Sequence, residues 1–473
     1  MAKKNKKSGL SFAKYLSIFL IIVTILVLLL IYFIGILPLE YFIVLAVLFL
    51  IINFVVIMLL NSKGKIRNSI GILLSIILLI IMIVGILYEF NTLDFLKQFG
   101  FNSYKTENYN VVVLKDSNFE KISDLNKEDI AHMDSKEHDG LNEFIKNIST
   151  EIEFESIVLD DMTELVDNLV SEEVVAIILE DAQLDIIEEE DIENYEKLKI
   201  IYNDEVEITI DKIGDAVDVT KDSYNIFISG IDTYGSVTKV SRSDVNMLVT
   251  VNTNENKILL TSIPRDYYVL LPKYDEYDKL THAGIYGIDT SIDAIENLLD
   301  TKINYYVKVN FTSLIDVVDA LEGIEVNSNY DFTTQDGYHF TKGLNELNGI
   351  EALSFVRERK AFADGDRIRG QNQQLMLTAL INKVMSPTII MNYADLLDAL
   401  KDKFVTNITD TEVTDFIQMQ LANNASWSIE SISLDGTDSY NYTYSYQNSK
   451  LYVMKPNSKS VEKAQEKIAE VLN

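Results

Sequence analysis

Cysteine is absent from all 473 residues, which excludes disulfide staples, thiolate metal sites and a cysteine nucleophile. Positive charge is also scarce. Lys and Arg number 41 against 72 Asp and Glu, and the formal net charge of -31 argues against general nucleic-acid binding, because most of such a surface repels a phosphate backbone. A local cluster of basic residues in this chain therefore calls for a specific reason. No serine, histidine and aspartate stand in a motif that suggests a hydrolytic triad. Charge of either sign is nearly missing from the apolar runs of the first ninety residues, so those runs have nothing with which to line a transport pathway.

What those ninety residues do contain is three apolar runs, at about 15–37, 41–60 and 70–88, each long enough to span a bilayer. Lys3, Lys4, Lys6 and Lys7 precede the first run. The LPLE linker after it carries no Lys or Arg, whereas the next linker carries Lys63, Lys65 and Arg67. The positive-inside rule places the N-terminus and that second linker in the cytoplasm, and everything after residue 89 outside. A cleaved signal peptide fits poorly, because the first run is too long and lacks a clear small-residue cleavage site. The expected organisation is a basic N-terminus and membrane anchor over 1–90, an accessory domain over 105–221, and a larger domain over 222–473.

Between 105 and 221 strand-like and helix-like patterns alternate: VVVLK at 111–115, LNEFIKNI at 141–148, VVAIILE at 174–180, an acidic helical run, then KLKIIY at 197–202. That alternation predicts a small α/β module. Roughly 35 acidic residues face about 10 basic ones here. The pattern reads as a solvated acidic face, or as a docking surface for a basic partner or for divalent cations.

Residues 225–229, 246–251 and 257–263 are short β-branched and aliphatic runs bounded by Gly, Asp and Asn, and predict three adjacent strands. Polar residues gather at their ends: Asp232 after the first, Arg242 and Asp244 before the second, and Pro264-Arg265-Asp266 after the third. Carboxylates fixed at strand ends suit a hard cation, and an Arg fork suits phosphate oxygens. The alternative reading is turn capping by Asp and Asn.

With GID at 230–232, RSD at 242–244 and SIPRD at 262–266, this segment resembles the LytR-CpsA-Psr family of bacterial cell-envelope proteins. Further matching segments follow in the family's usual order: DKLTHAGIYG (278–287), YYVKVNF (305–311), VVDALEGIEV (317–326), LNGIEALSFVRER (347–359) and DGDRIRGQNQQ (364–374). The core motifs cover 224–385, with 387–473 completing the domain. The resemblance implies an α-β-α catalytic domain with a central mixed sheet. It also implies a phosphotransferase that moves a glycan, such as a capsular polysaccharide or teichoic acid, from a polyprenyl-pyrophosphate carrier to a peptidoglycan hydroxyl. Carried onto this chain, it puts Mg²⁺ (or Mn²⁺) on Asp232 and Asp244. Arg242, Arg265, Lys279 and Gln373 become contacts to pyrophosphate or lipid, and Arg265, Arg357, Arg359, Arg369 and Asp366 the catalytic set. The stretch TYGSVTKVS after the GID lacks an Arg that relatives often carry there. Two other functions share the same pocket: a non-enzymatic envelope sensor that binds polyprenyl-phosphate lipids, and a polyprenyl-pyrophosphate hydrolase. Partners in envelope assembly would use the accessory domain.

The basic island of Arg357, Arg359, Lys360, Arg367 and Arg369 is the local cluster that the acidic composition makes conspicuous. If 355–359 is a strand, Arg357 and Arg359 share one face, and Asp364-Gly365-Asp366 turns the chain into a helix that carries Arg369 and Gln373. Ion pairs with Glu358, Asp364 and Asp366 are the competing explanation. The segment 278–287 reads as a polar loop, with Lys279 and His282 as contact candidates, ahead of a helix over 288–299. Leu314, Ile315, Val317, Val318 and Leu321 have the spacing of a helix with one buried face. Core packing explains that stripe, and the resemblance adds the option that part of it touches a polyprenyl chain. In the tail, helices are expected at 393–404 and 413–421, a Tyr-rich strand near 440–446 and a closing helix from 460, with no chemical motif.

Overall fold

The computed structural model describes residues 7–35, 37–98, 104–134, 139–209, 213–233, 236–386, 400 and 403–473. Contacts divide it into two units, Met1–Gly100 with Ile390–Lys401 and Thr409–Ser426, and Phe101–Ile389 with Asp402–Ile408 and Trp427–Asn473.

In the first unit the apolar runs form helices α1 (Lys7–Ile34), α2 (Leu39–Leu60) and α3 (Lys65–Gln98), with membrane-length stretches of 23, 22 and 23 residues. At about 1.5 Å rise per residue each covers the hydrocarbon thickness of a bilayer. Leu20, Val27, Val56, Leu60, Leu78 and Met82 pack between them. Lipid tails compete for apolar side chains, so polar contacts between helices help fix the bundle. Asn53 donates to Thr24 Oγ1 at 3.0 Å, and Thr24 donates to Met82 Sδ at 3.4 Å, which ties all three helices at one point.

The second unit begins with the acidic module. It contains β1 (Tyr104–Leu114), β2 (Asp129–Met133), α4 (Asp139–Ile148), β3 (Glu155–Leu159), α5 (Met162–Val170), β4 (Ala176–Glu180), α6 (Asp181–Glu190), α7 (Ile192–Tyr195) and β5 (Leu198–Thr209). Its sheet has the order β3-β2-β4-β1-β5. Val111, Val112 and Val113 of β1 are fully buried because helices cover both faces of that strand.

The larger domain starts with β6 (Ser223–Ile231), β7 (Ser243–Asn252), β8 (Lys257–Ile263), β9 (Tyr268–Leu271), β10 (Glu276–Lys279), α8 (Leu280–Ala283), α9 (Ile288–Leu299), β11 (Tyr305–Val309) and α10 (Phe311–Ala320). Then come β12 (Ile324–Ser328), β13 (Phe332–Thr333), β14 (His339–Phe340), β15 (Gly343–Leu347), α11 (Gly349–Arg357) and α12 (Gly365–Val384). The last elements are β16 (Phe404–Thr406), α13 (Asp410–Asn423), β17 (Ser428–Ser433), β18 (Gly436–Asn441), β19 (Leu451–Pro456) and α14 (Ser458–Leu472). The central sheet runs β16-β11-β6-β7-β8-β17 and is mixed, with β11 parallel to β6 and β17 parallel to β8. Phe227, Leu248 and Leu259 face α9 and α14 on one side. On the other side Ile228 and Met247 face α10, α11 and α12. This is the expected α-β-α arrangement.

The tail departs from expectation in one place. Residues 409–426, with α13, group with the unit of the membrane helices, and α13 buries no side chain with which it could join the sheet. The helix expected at 393–404 falls almost wholly outside the described residues.

The acidic module and the larger domain are built into each other. Thr106 of β1 exchanges backbone hydrogen bonds with Thr238 (3.2 Å) and Val240 (3.0 Å), and Leu184, Ile186 and Ile187 of α6 share one apolar core with Ile285, Tyr446 and Leu451. Lys308 of β11 ends up beside this junction and donates to the Lys239 carbonyl. Burial, and then repulsion from Lys105, hold its pKa down to about 7 against the pull of Glu180. In the unfolded chain a lysine keeps its proton to about pH 10.4. Between about pH 7 and pH 10 the unfolded state therefore binds the extra proton, so this group makes stability rise with pH across that window. Thermal unfolding of the detergent-solubilised chain should show that rise, and Lys308→Met should abolish it. An equal pH dependence in both proteins would contradict the assignment.

Candidate active site

The site starts from a β-bulge. Strands β6 and β7 pair with Gly230 opposite Val245, and the register then shifts so that Ile231 faces Ser243. A Cβ at position 230 would lie 2.7 Å from the Cβ of Val245, so the glycine of GID is required by close approach of the strands. Ser229 Oγ and Ser243 Oγ meet at 2.8 Å beneath it. The bulge carries Asp232 and Asp244 to one end of the sheet, where both line a cavity of about 680 Å³.

One wall of that cavity is apolar, made by Ile228 and Met247 of the sheet, Leu314 and Ile315 of α10, and Met376, Leu377 and Leu380 of α12. The stripe on α10 is thus divided: Leu314 and Ile315 face the cavity, while Val318 and Leu321 are buried in the core. The other wall is charged, with Arg357, Arg359, Lys360, Arg369 and Gln373 alongside the two aspartates.

Arg357 and Arg359 reach the cavity by a route other than the expected strand. Residues 349–357 are helix α11, capped by Asn348, whose side chain accepts from the Glu351 amide while the Glu351 carboxylate accepts from the Asn348 amide. That reciprocal cap, written in the sequence as N-G-I-E, outweighs the strand-like look of SFVRER. Arg357 closes the helix, Glu358 is extended, and the chain then turns into α12 at Gly365. The Arg357 guanidinium lies 4.2 Å from the Phe311 ring centroid and 3.5 Å from Asp232. Asp366 contacts Arg359 at 3.6 Å and Arg369 at 3.3 Å, so two of the predicted partners, Asp366 and, through Arg367, Asp364, do pair with the island. Glu358 does not. It is buried and accepts hydrogen bonds from the Gln335 and Ala361 amides, both at 2.8 Å.

The two aspartates sit in opposite electrostatic states. Burial and then the charge of Asp244 push the Asp232 carboxyl up, with Arg357 and Arg369 opposing. Asp244 is more deeply buried, yet Arg265, Arg369 and Arg242 together outweigh that burial and hold its carboxyl below the usual range. Both hydrogen bonds to Asp244, from Arg265 Nη1 and Thr281 Oγ1 at 3.0 Å each, fall on Oδ1. Among the described residues, Oδ2 has no protein donor, and no group of three or more His, Asp or Glu could enclose a metal ion. Two mutually repelling carboxylates, one with a free oxygen, fit an ion such as Mg²⁺, which keeps most of its shell for water and phosphate oxygens.

Arg242, Arg265 and Lys279 stand apart from the cavity wall. Arg265 forks between Asp244 and Glu189 of α6, whose carboxylate lies 3.5 Å from Nη2, and its Nε lies 3.6 Å from Asp266. Arg242 pairs with the same Glu189, and Lys279 with Glu190 at 2.7 Å. The segment 278–287 is no polar loop: β10 and α8 occupy it, and Asp278, Lys279, Thr281 and His282 are buried. Ser445, His282 and Asp278 do come together here, although no motif joins them. Ser445 Oγ at 2.7 Å and Asp278 Oδ1 at 2.8 Å both approach His282 Nδ1. A proton relay needs the two ring nitrogens on different partners. This cluster instead pins the C-terminal segment, aided by the Ser445 amide donating to Asp278 Oδ2 at 2.8 Å.

The model of the LytR_cpsA_psr family matches residues 187–467, more than half of the chain and wider on both sides than the motif run 224–385. The chain belongs to this family. It is 35% identical over 262 residues to the polyisoprenyl-teichoic acid–peptidoglycan teichoic acid transferase TagT of Bacillus subtilis (strain 168), covering 53% of this chain and 77% of that one. To TagU of Enterococcus faecalis (strain ATCC 700802 / V583), of the same transferase name, it is 38% identical over 192 residues, 40% of this chain and 63% of the relative. The crystal structure of B. subtilis TagT aligns at 32% identity over 55% of this chain and 94% of that one, with a TM-score of 0.44.

As a LytR_cpsA_psr family member, the chain has site residues that the motifs did not single out. Thr281 donates to Asp244, Phe311 carries Arg357, and Asp336 lines the cavity, held by Ser354 Oγ at 2.6 Å. Asp336 lies in a Gln-Asp-Gly stretch that reads only as a hairpin turn. The buried Glu358 gives a direct test of loop organisation against ion pairing. Glu358→Ala leaves two amides without acceptors and should cost about 1.5–3 kcal/mol in chemical unfolding, whereas Asp364→Asn, at the exposed pair with Arg367, should cost under about 1 kcal/mol. Equal costs would show that Glu358 is only another surface charge.

Proposed function

We propose that this protein is a membrane-anchored phosphotransferase that moves a glycan from a polyprenyl-pyrophosphate carrier to a hydroxyl of peptidoglycan. The observation that carries the reading is the cavity itself: an arginine-rich wall and a pair of aspartates face an apolar wall across one space, which matches a molecule with a pyrophosphate head and a hydrocarbon tail. The names of the TagT and TagU relatives support the same reaction. The apolar wall from α10 and α12 takes the first isoprene units, and Arg357, Arg359, Arg369 and Gln373 take the phosphate oxygens. The acceptor oxygen attacks the phosphorus nearer the glycan, the bond to the bridging oxygen breaks, polyprenyl monophosphate leaves, and a phosphodiester joins glycan to wall. The acceptor's proton passes to a carboxylate of the site or to water.

Phosphoryl transfer asks the protein mainly for positioning and for cations that hold developing charge. Arg357 is preset by the Phe311 ring, and Arg359 and Arg369 by their shared partner Asp366. Asp232 and Asp244 are the residues that would hold Mg²⁺ or Mn²⁺, and such an ion supplies charge neutralisation on the phosphate oxygens when bound. The lysine distribution around the three membrane helices orients the N-terminus toward the cytoplasm and the catalytic domain away from it.

Incubating the chain in vesicles with a lipid-pyrophosphate glycan and a peptidoglycan acceptor, and scoring wall-linked glycan and released lipid monophosphate, tests the proposal. Monophosphate without linked glycan would make it a hydrolase, and binding without either product a sensor. Within that assay Arg357→Lys and Arg359→Lys keep charge but lose the planar fork. A bidentate contact to phosphate is worth roughly 1.5–3 kcal/mol, so each should lower transfer about ten- to hundredfold. Near-normal turnover in both would refute the phosphate role. Protease outside intact cells should remove a C-terminal tag and spare an N-terminal one; the reverse would overturn the orientation.

A further inference from the structure

Helix α6 ends with Glu188, Glu189 and Glu190, three carboxylates at the helix terminus where the macrodipole is negative and cations are favoured. Left alone, this arrangement costs helix stability. Two of the three are compensated from the larger domain. Glu189 contacts Arg242 Nη1 through Oε2 and lies 3.5 Å from Arg265 Nη2 through Oε1, and Glu190 lies 2.7 Å from Lys279 Nζ. Glu188 is exposed, and no ion pair holds it among the described residues.

The contact is built into the core. Leu184, Ile186 and Ile187 of α6 pack in the same apolar cluster as Ile285, Tyr446 and Leu451, so the helix end has a fixed place over the arginines. Arg265, on its other side, gives Nη1 to Asp244 at 3.0 Å. One carboxylate of the acidic module thus sits two contacts away from the proposed metal site, behind Arg265 and outside the cavity.

We propose that Glu189 is a positioning residue of the transfer site: its carboxylate bridges Arg242 and Arg265, holds the Arg265 guanidinium against Asp244, and offsets the positive field that the two arginines impose on a cation at Asp232 and Asp244. This rests on the reading of the site as a metal-assisted phosphotransferase. Removing the charge leaves the two arginines uncompensated beside the ion and frees Arg265 to rotate away from Asp244.

The test is Mn²⁺ binding to the substrate-free, detergent-solubilised full chain by calorimetry, together with transfer kinetics. Glu189→Gln should raise the Mn²⁺ Kd about three- to tenfold, the scale of one partly screened charge at this range. It should lower kcat about five- to twentyfold through misplacement of Arg265, with KM for the lipid within about twofold. Glu189→Asp, which keeps the charge, should recover most of the metal affinity. Glu188→Gln makes the same charge change one residue away and should match the wild type. Wild-type Mn²⁺ affinity and turnover in Glu189→Gln would reduce the contact to domain docking and overturn the proposal, and faster turnover would overturn it in favour of a competing anion. A wild type that binds no Mn²⁺, or binds it equally well as Asp244→Asn, sinks the metal assignment itself and this inference with it, an outcome visible before any Glu189 variant is made.

Discussion

Two carboxylates forced to share the end of one sheet are the constraint around which the rest is arranged. The β6–β7 bulge brings Asp232 and Asp244 into mutual repulsion, and burial makes that repulsion expensive. Everything charged nearby answers it. Arg265 holds Asp244, Arg357 leans on Asp232 from a seat on Phe311, and Arg369 acts on both. Those arginines in turn need anions of their own, which come from Asp366 on α12 and from Glu189 on α6. The result is a chain of alternating charges that runs from the acidic module through the sheet end to the cavity wall.

The same chain explains why an acidic protein keeps so many arginines in one place. Arg369 is buried, and burial, followed by the neighbouring Arg265, drags its pKa down, so it is held at an electrostatic cost. A guanidinium kept under such conditions is least stable when the cavity lacks an anion. A pyrophosphate would relieve it, which is the sense in which the cavity is shaped for the charge it is proposed to receive.

Legibility in the sequence followed the range of the interaction. Strands β6, β7 and β8 were plain because a β-branched run between turn residues is local information, and the membrane helices were plain from length and apolarity. Asp232 and Asp244 stood out at strand ends and Arg357, Arg359 and Arg369 as a basic island, the family resemblance joined them with Gln373 into one site, and all six do line one cavity. The misreadings came from competing local signals: N-G-I-E is a capping box, and it made 349–357 a helix although SFVRER has strand-like residues. In 278–287 polar residue types suggested a loop, but Asp278, His282 and Ser445 satisfy one another and are buried. What no local pattern carried was the partnership of Glu189 and Glu190 with Arg242, Arg265 and Lys279. It joins residues between 53 and 89 positions apart and depends on how two modules pack.

The apolar cluster that joins α6 to Ile285, Tyr446 and Leu451 sets where this protein can be divided. A chain cut near residue 222, at what looks like the start of the catalytic domain, would leave those three side chains facing water, take Glu189 from Arg242 and Glu190 from Lys279, and leave Arg265 with Asp244 and Asp266 alone. The acidic module is therefore less an attachment than part of the larger domain's own wall. Helix α6 cannot be exchanged without also refitting the tail strand β19, which supplies Leu451 to the same cluster.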